Sequence, residues 1–272
     1  MDTITTTISN SNIASTIYDD TKYIYKDNYC EIAYRHDRFS FIQKHKNDIT
    51  KIIAKLIENH NDNSLLFYKC EFLNDFLMKH KERKLPIDVA TRFARCLTVQ
   101  SDMLNQVNKA IFCMTLDCIV VINGDFPVFI DSNFITDIKS DNVVMRSSHH
   151  ATQGETFSGI FNRLKARTFS DKIHSLFIGP EFVASYDENK KKKKAYSKTN
   201  AESDLYIDKD ACNFAFGVLF VYLLFGFKKY MDFNDIYSVS SKALKPIENT
   251  AIYYFITRCL AKNPEERALL VL

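Results

Sequence analysis

Residues 211–227, ACNFAFGVLFVYLLFGF, limit what this chain can fold into more than any other stretch. Apart from Asn213 and the hydroxyl of Tyr222 the run is apolar, and Lys228 and Lys229 close it. As a helix, 17 residues would reach about 25 Å at ~1.5 Å per residue, short of the ~30 Å of bilayer hydrocarbon. A helix apolar on all sides is otherwise one that protein covers on all sides. Amphipathic segments flank this run and can supply that cover. The expectation is therefore a buried central helix in a globular protein, with no membrane span.

The 272 residues suit one large domain or two small lobes. A net charge of +3 is too weak by itself to indicate a nucleic-acid partner. The seven cysteines are odd in number and lack a C-x-x-C pair. Cys113 and Cys118 have no second pair of ligands nearby with which to hold zinc. No basic segment followed by an apolar run opens the chain. Together these features imply reduced, buried thiols and an intracellular, cytoplasmic setting. All six glycines lie at position 124 or beyond.

In order along the chain, residues 1–17 are rich in Thr, Ser and Asn and read as a disordered or loosely docked tail. Tyr23, Tyr25, Tyr29, Ile32 and Tyr34 predict two short strands around Lys26-Asp27-Asn28. Ile49, Ile52, Ile53, Leu56 and Ile57 fall at helical spacing, and residues 59–63 break that helix. SLLFY (64–68) reads as a buried strand, and Glu71 to His80 as a short helix. Pro86, with Asp88 two residues on, starts a longer helix whose apolar face runs through Ala90, Phe93, Ala94, Leu97, Leu104 and Val107. Cys118–Ile122 and Phe126–Ile130 form a hairpin across Asn123-Gly124-Asp125, a turn sequence that tolerates positive φ. Residues 133–178 read as loop-rich, and 185–209 as a polar loop carrying the run Lys190–Lys194. Ala251, Ile252, Phe255, Ile256, Cys259 and Leu260 mark a last amphipathic helix, which Asn263-Pro264 ends.

This order, with several local strings, resembles the protein kinase superfamily over roughly residues 22–272. SLLFYKCEFLNDFLMKH looks like the last strand of a kinase small lobe, the interlobe hinge and the helix after it. PIDVATRFARCLTVQSDMLNQV resembles the long helix before the catalytic loop, and CIVVINGDFPVFIDSN the hairpin that ends in Asp-Phe-Gly. FIGPEFVAS resembles the Ala-Pro-Glu segment, NFAFGVLFVYLLFG the central large-lobe helix, and CLAKNPEER the closing Cys-Leu-x-x-Asp-Pro-x-x-Arg element. The resemblance implies an α+β, bilobal fold, with a small β-rich lobe over 18–68 and a mostly helical large lobe over 69–272.

Phosphoryl transfer is mostly positioning and charge neutralisation, so it depends on a short set of groups. The glycine loop is absent, since no glycine precedes position 124. EIAYR (31–35) resembles Val-Ala-Ile-Lys and puts Arg35 at the nucleotide-binding lysine position; an ordinary surface arginine is the alternative. Arg keeps the charge but not the shape. Thr50 and Lys51 stand where the partner glutamate belongs. Counting back from Asp131, the position of the Asp-Phe-Gly aspartate, puts Cys118 at the magnesium-binding Asn and Cys113 at the catalytic Asp. Neutral thiols serve neither role well. Asp117, one residue from the Asn position, becomes a metal ligand only if the register slips. The structural residues are better kept: Glu181 and Arg267 match the two ends of the ion pair that ties the activation segment to the large lobe. The Asp that opens the central helix falls on Cys212, with Asp210 as a candidate N-cap.

The resemblance therefore implies a pseudokinase that binds a protein partner, such as a kinase or its substrate, and needs no cofactor. The alternative is an atypical active serine/threonine kinase using ATP and Mg, with Asp131 and Asp117 on metal and Arg35 on phosphate. A second alternative gives Lys190–Lys194 the role of a nuclear-import signal or a contact with an anionic surface or nucleic acid; its plain alternative is a solvated loop.

Overall fold

The computed structural model describes residues 14–18, 21–26, 29–34, 57–61, 64–68, 70–130, 134–145, 178–182, 184–185, 188, 205–226 and 242–270, before residue 70 as strands and their pairing. The fold is α+β, and its described sheets are antiparallel. The chain divides into two compact units, one of 1–79 with 116–132 and the other of 80–115 with 133–272.

In the first unit, β1 (Ala14–Tyr18), β2 (Thr21–Lys26), β3 (Tyr29–Tyr34), β4 (Ile57–Asn61) and β5 (Ser64–Tyr68) form one sheet in the order β1-β2-β3-β5-β4. The hairpin expected around Lys26-Asp27-Asn28 is β2–β3, and SLLFY is β5. Two expectations are corrected. The tail over 1–17 gives its last residues to β1, which pairs along its whole length with β2. Ile57, assigned to a helix by its spacing, begins β4, and the Asn-rich break continues that strand. Pairing with β5 outweighs a local helical pattern here, as it often does for β-branched residues.

A second sheet in the same unit joins β6 (Cys70–Phe72), β8 (Ile119–Ile122) and β9 (Phe126–Phe129). Asn123 and Gly124, at φ 52° and 75°, make the predicted turn. β8 is buried on both faces, which fits its unbroken Ile-Val-Val-Ile. Helix α1 (Leu73–Met78) buries Leu73, Phe76 and Leu77. Residues 116–132 thus belong with the first unit, whereas the sequence placed everything after residue 68 in a large lobe.

The second unit is built on α2 (Ile87–Gln106), α3 (Asn213–Phe225) and α4 (Ala251–Cys259). α3 is the predicted central helix, trimmed to 13 residues by a 3-10 turn over Lys209–Cys212 before it and by Gly226 (φ 73°) after it. Among the described residues no helix is long and apolar enough to cross a membrane. Protein covers α3 as its composition demands. Gly217 lets Leu260 and Cys259 approach so closely that a Cβ there would lie 2.7 Å from Leu260 Cγ, and Phe220 meets Phe255 edge-on at 5.5 Å. α2 buries Ala90, Phe93, Ala94, Leu97 and Leu104, but Val107, expected on that face, caps the helix and is 42% exposed.

This unit also holds a sheet that the sequence reading did not anticipate. β7 (Lys109–Ile111), β10 (Ile135–Lys139), β11 (Asn142–Met145) and β12 (Leu205–Asp208) lie in the order β12-β11-β10-β7. Part of the stretch expected to be loop-rich is therefore a hairpin, turning at Ser140 and Asp141 with φ of 47° and 62°. Lys109 and Asp137 face each other across β7 and β10 and pair at 2.7 Å.

Candidate functional site

Arg267 is the largest of the fully buried side chains, and a buried guanidinium must spend its donors on acceptors. It does so on two segments. Nη1 and Nη2 donate to Glu181 Oε2 and Oε1 at 2.9 and 2.7 Å, a bidentate pair. Nε donates to the Ala261 carbonyl at 2.8 Å and Nη2 to that of Lys262 at 3.2 Å. The guanidinium carbon also sits 5.0 Å from the centroid of the Phe214 ring in the first turn of α3. Glu181 and Arg267, 86 residues apart, form the ion pair that the sequence resemblance implied.

Local chemistry fixes both ends. Asn263 Nδ2 donates to Glu266 across the 3-10 turn Pro264–Glu266, which delivers Arg267. On the other side, Gly179 lies against backbone. A Cβ there would be 2.6 Å from the Ala211 carbonyl oxygen and 2.9 Å from Glu181 Oε2, so the segment needs glycine to sit where it does.

One residue before Gly179, Ile178 makes an antiparallel bridge to Cys113, the residue at the catalytic Asp position of the resemblance. Ile111, Phe112 and Cys113 are at most 1% exposed. Phe112 packs against Phe134 and Phe182 with ring centroids 5.9 and 5.7 Å away. The backbone N–H of Phe112 donates to Phe134 O at 3.0 Å. Where phosphoryl transfer needs a carboxylate open to an acceptor hydroxyl, this segment presents a fully buried thiol. In the first unit Cys118 is likewise fully buried, and its carbonyl accepts from the Ile130 N–H at 2.8 Å.

The start of α3 differs from expectation. Asp208, not Asp210, caps the 3-10 turn, its carboxylate accepting from the Asp210 N–H at 2.8 Å. Asp210 Oδ1 instead accepts from Asn213 Nδ2 at 3.4 Å. Burial, then the neighbouring Asp208 carboxylate, pushes the Asp210 carboxyl above the usual aspartate range. Cys212, at the usual Asp position, is a buried thiol whose pKa burial drives far up, which leaves it protonated and unreactive.

Arg35, Thr50, Lys51, Asp131 and Lys190–Lys194 lie outside the described residues, as does the side chain of Asp117, whose backbone is in the 3-10 turn Leu116–Cys118. Among the described residues no group of three or more His, Cys, Asp or Glu side chains gathers to hold a metal. The chain matches no family model, and no curated protein matches it.

Proposed function

We propose that this chain is a kinase-like domain of bilobal type that has lost phosphotransfer and works by binding another protein, such as a kinase or its substrate. The observation that carries the reading is a contrast within one short segment. Glu181 keeps a bidentate tie to a fully buried Arg267, while Ile178, three residues earlier, bridges a buried Cys113 at the position that would need a carboxylate. Support also comes from the division into two compact units, one with a five-stranded antiparallel sheet and the other built on a helix apolar all round. Cys96, Cys113, Cys118, Cys212 and Cys259 are thiols rather than disulfides, as an intracellular setting would keep them.

A ligand that binds only the folded state must raise its melting temperature. Titration with ATP should therefore leave the melting temperature unchanged whether or not magnesium is present. A magnesium-dependent dissociation constant in the low micromolar range would overturn the proposal in favour of an active kinase.

A further inference from the structure

Asn123 is the one asparagine in the chain that a glycine follows. The pair matters chemically as well as conformationally. The backbone nitrogen after an asparagine can attack the carboxamide carbon, and a following glycine, with no Cβ, hinders that attack least. At the tip of the β8–β9 hairpin both residues are exposed. The Asp125 N–H closes the turn by donating to the Ile122 carbonyl at 3.1 Å. Among the described residues nothing engages the Asn123 carboxamide or the Gly124 N–H. Gly124 is not enclosed either, since a Cβ there would approach only Phe76, at 4.0 Å. The nucleophile and the carbon it attacks are thus both open to water.

Two other asparagines isolate what the glycine adds. Asn108 and Asn249 are also exposed and left-handed, with φ of 55° and 67°. Lys109 and Thr250 follow them, and those side chains crowd the attacking nitrogen. At all three positions the closed backbone must swing out before attack. A hairpin tip does so most readily, because loop tips open at little cost.

We propose that Asn123 is a site of spontaneous deamidation, with water as the only co-reactant, and that its two products differ in stability. The Gly124 nitrogen gives its proton to hydroxide and bonds to Asn123 Cγ. The Cγ–Nδ2 bond breaks, ammonia leaves, and a five-membered succinimide closes. Water then opens that ring at one of two bonds. Breaking the bond from nitrogen to Cγ restores an ordinary chain with aspartate. Breaking the bond from nitrogen to the main-chain carbonyl carbon leaves isoaspartate, with the chain running through Cβ and Cγ. In sum a carboxamide and water become a carboxylate and ammonium, and nothing is oxidised or reduced. Asp-Gly serves the same turn as Asn-Gly, so aspartate keeps the hairpin and adds negative charge beside Asp125. Isoaspartate puts an extra main-chain atom into a turn that pairs Ile122 with Phe126. β8 is buried on both faces and cannot absorb that atom by slipping in register. The inference rests on this hairpin alone and stands whether or not the domain is kinase-like.

The test incubates the full chain at pH 8 and follows every asparagine peptide by mass, with fragmentation that separates aspartate from isoaspartate. Asn123 should convert severalfold faster than Asn108 or Asn249, yield isoaspartate in excess, and convert more slowly at pH 6. The incubated sample should gain a second, lower melting transition whose amplitude tracks its isoaspartate content. Asn123→Asp should melt with the parent. Conversion no faster than at Asn108 and Asn249, or a product without isoaspartate, would overturn the site. An isoaspartate fraction that melts with the parent, or an Asn123→Asp variant that melts well below it, would overturn the division between the two products.

Discussion

Around Arg267 the second unit buries a charge and satisfies it; at Cys113, joined to the same segment through Ile178, it buries a thiol beside the Phe112 ring. The first arrangement is costly to assemble, because a guanidinium leaves water completely. Four hydrogen bonds and an aromatic face offset that cost. The second is an ordinary apolar core. If the chain is kinase-like, as proposed above, the charge that holds segments together is present, while the position that would carry charge for phosphoryl transfer is packing.

The largest expected effect comes from breaking the tie. Glu181→Ala should cost ~3–5 kcal/mol, since it leaves the fully buried Arg267 guanidinium without its counter-charge. Arg267→Ala should be strongly destabilising too, since it strands the part-buried Glu181 and removes the packing on Phe214. Arg267→Ala should cost more, because it also abandons the Ala261 and Lys262 carbonyls. In chemical denaturation the double variant should cost less than the sum of the singles. Additive costs would mean that the two groups do not act as a pair.

Next is the close packing that positions the tie. Gly179→Ala must displace the Ala211 carbonyl or Glu181, and Gly217→Ala must displace Leu260. Overpacking of this kind costs ~1–3 kcal/mol. Gly179→Ala should show the larger drop in melting temperature, because backbone yields less readily than a leucine tip. The reverse order would place the tighter constraint at α3 rather than at the Glu181 segment.

The smallest effect is a gain. Asp210, whose carboxyl burial and Asp208 push upward, destabilises the fold when ionised. Its folded pKa exceeds its unfolded one, so the penalty is absent below the unfolded value of ~3.9 and grows as pH rises through the folded one. Asp210→Asn should raise the melting temperature slightly at pH 7 and not at pH 3. An equal gain at both pH values would assign the effect to something other than its charge.

How much of this was legible in the sequence depends on how local the signal was. The central helix, β5 and the Asn123-Gly124 hairpin follow from unbroken apolar runs and turn chemistry. The β10–β11 hairpin was missed because it turns on Ser140 and Asp141, without glycine, in strands only part-buried at β10. β12 buries Ile207 alone, too little for a four-residue strand to stand out from polar surroundings. Nothing in the spacing of Glu181 and Arg267 predicts their pairing; only the family resemblance supplied it. The pairing of Asp141 with Lys209 across 68 residues is likewise encoded in no local pattern.

The central proposal, that the position matching the kinase catalytic Asp is sealed core, is tested most directly by the unfolding free energy of Cys113→Asp against pH. An aspartate placed among Phe112, Ile111 and Ile178 without solvent would resist ionisation. The variant should therefore be destabilised by several kcal/mol at pH 7 and by distinctly less near pH 4, where the carboxyl is largely protonated. A variant as stable as the parent at pH 7, with no such dependence on pH, would mean that the carboxylate reaches water or a cation, as in a working active site, and would contradict the account.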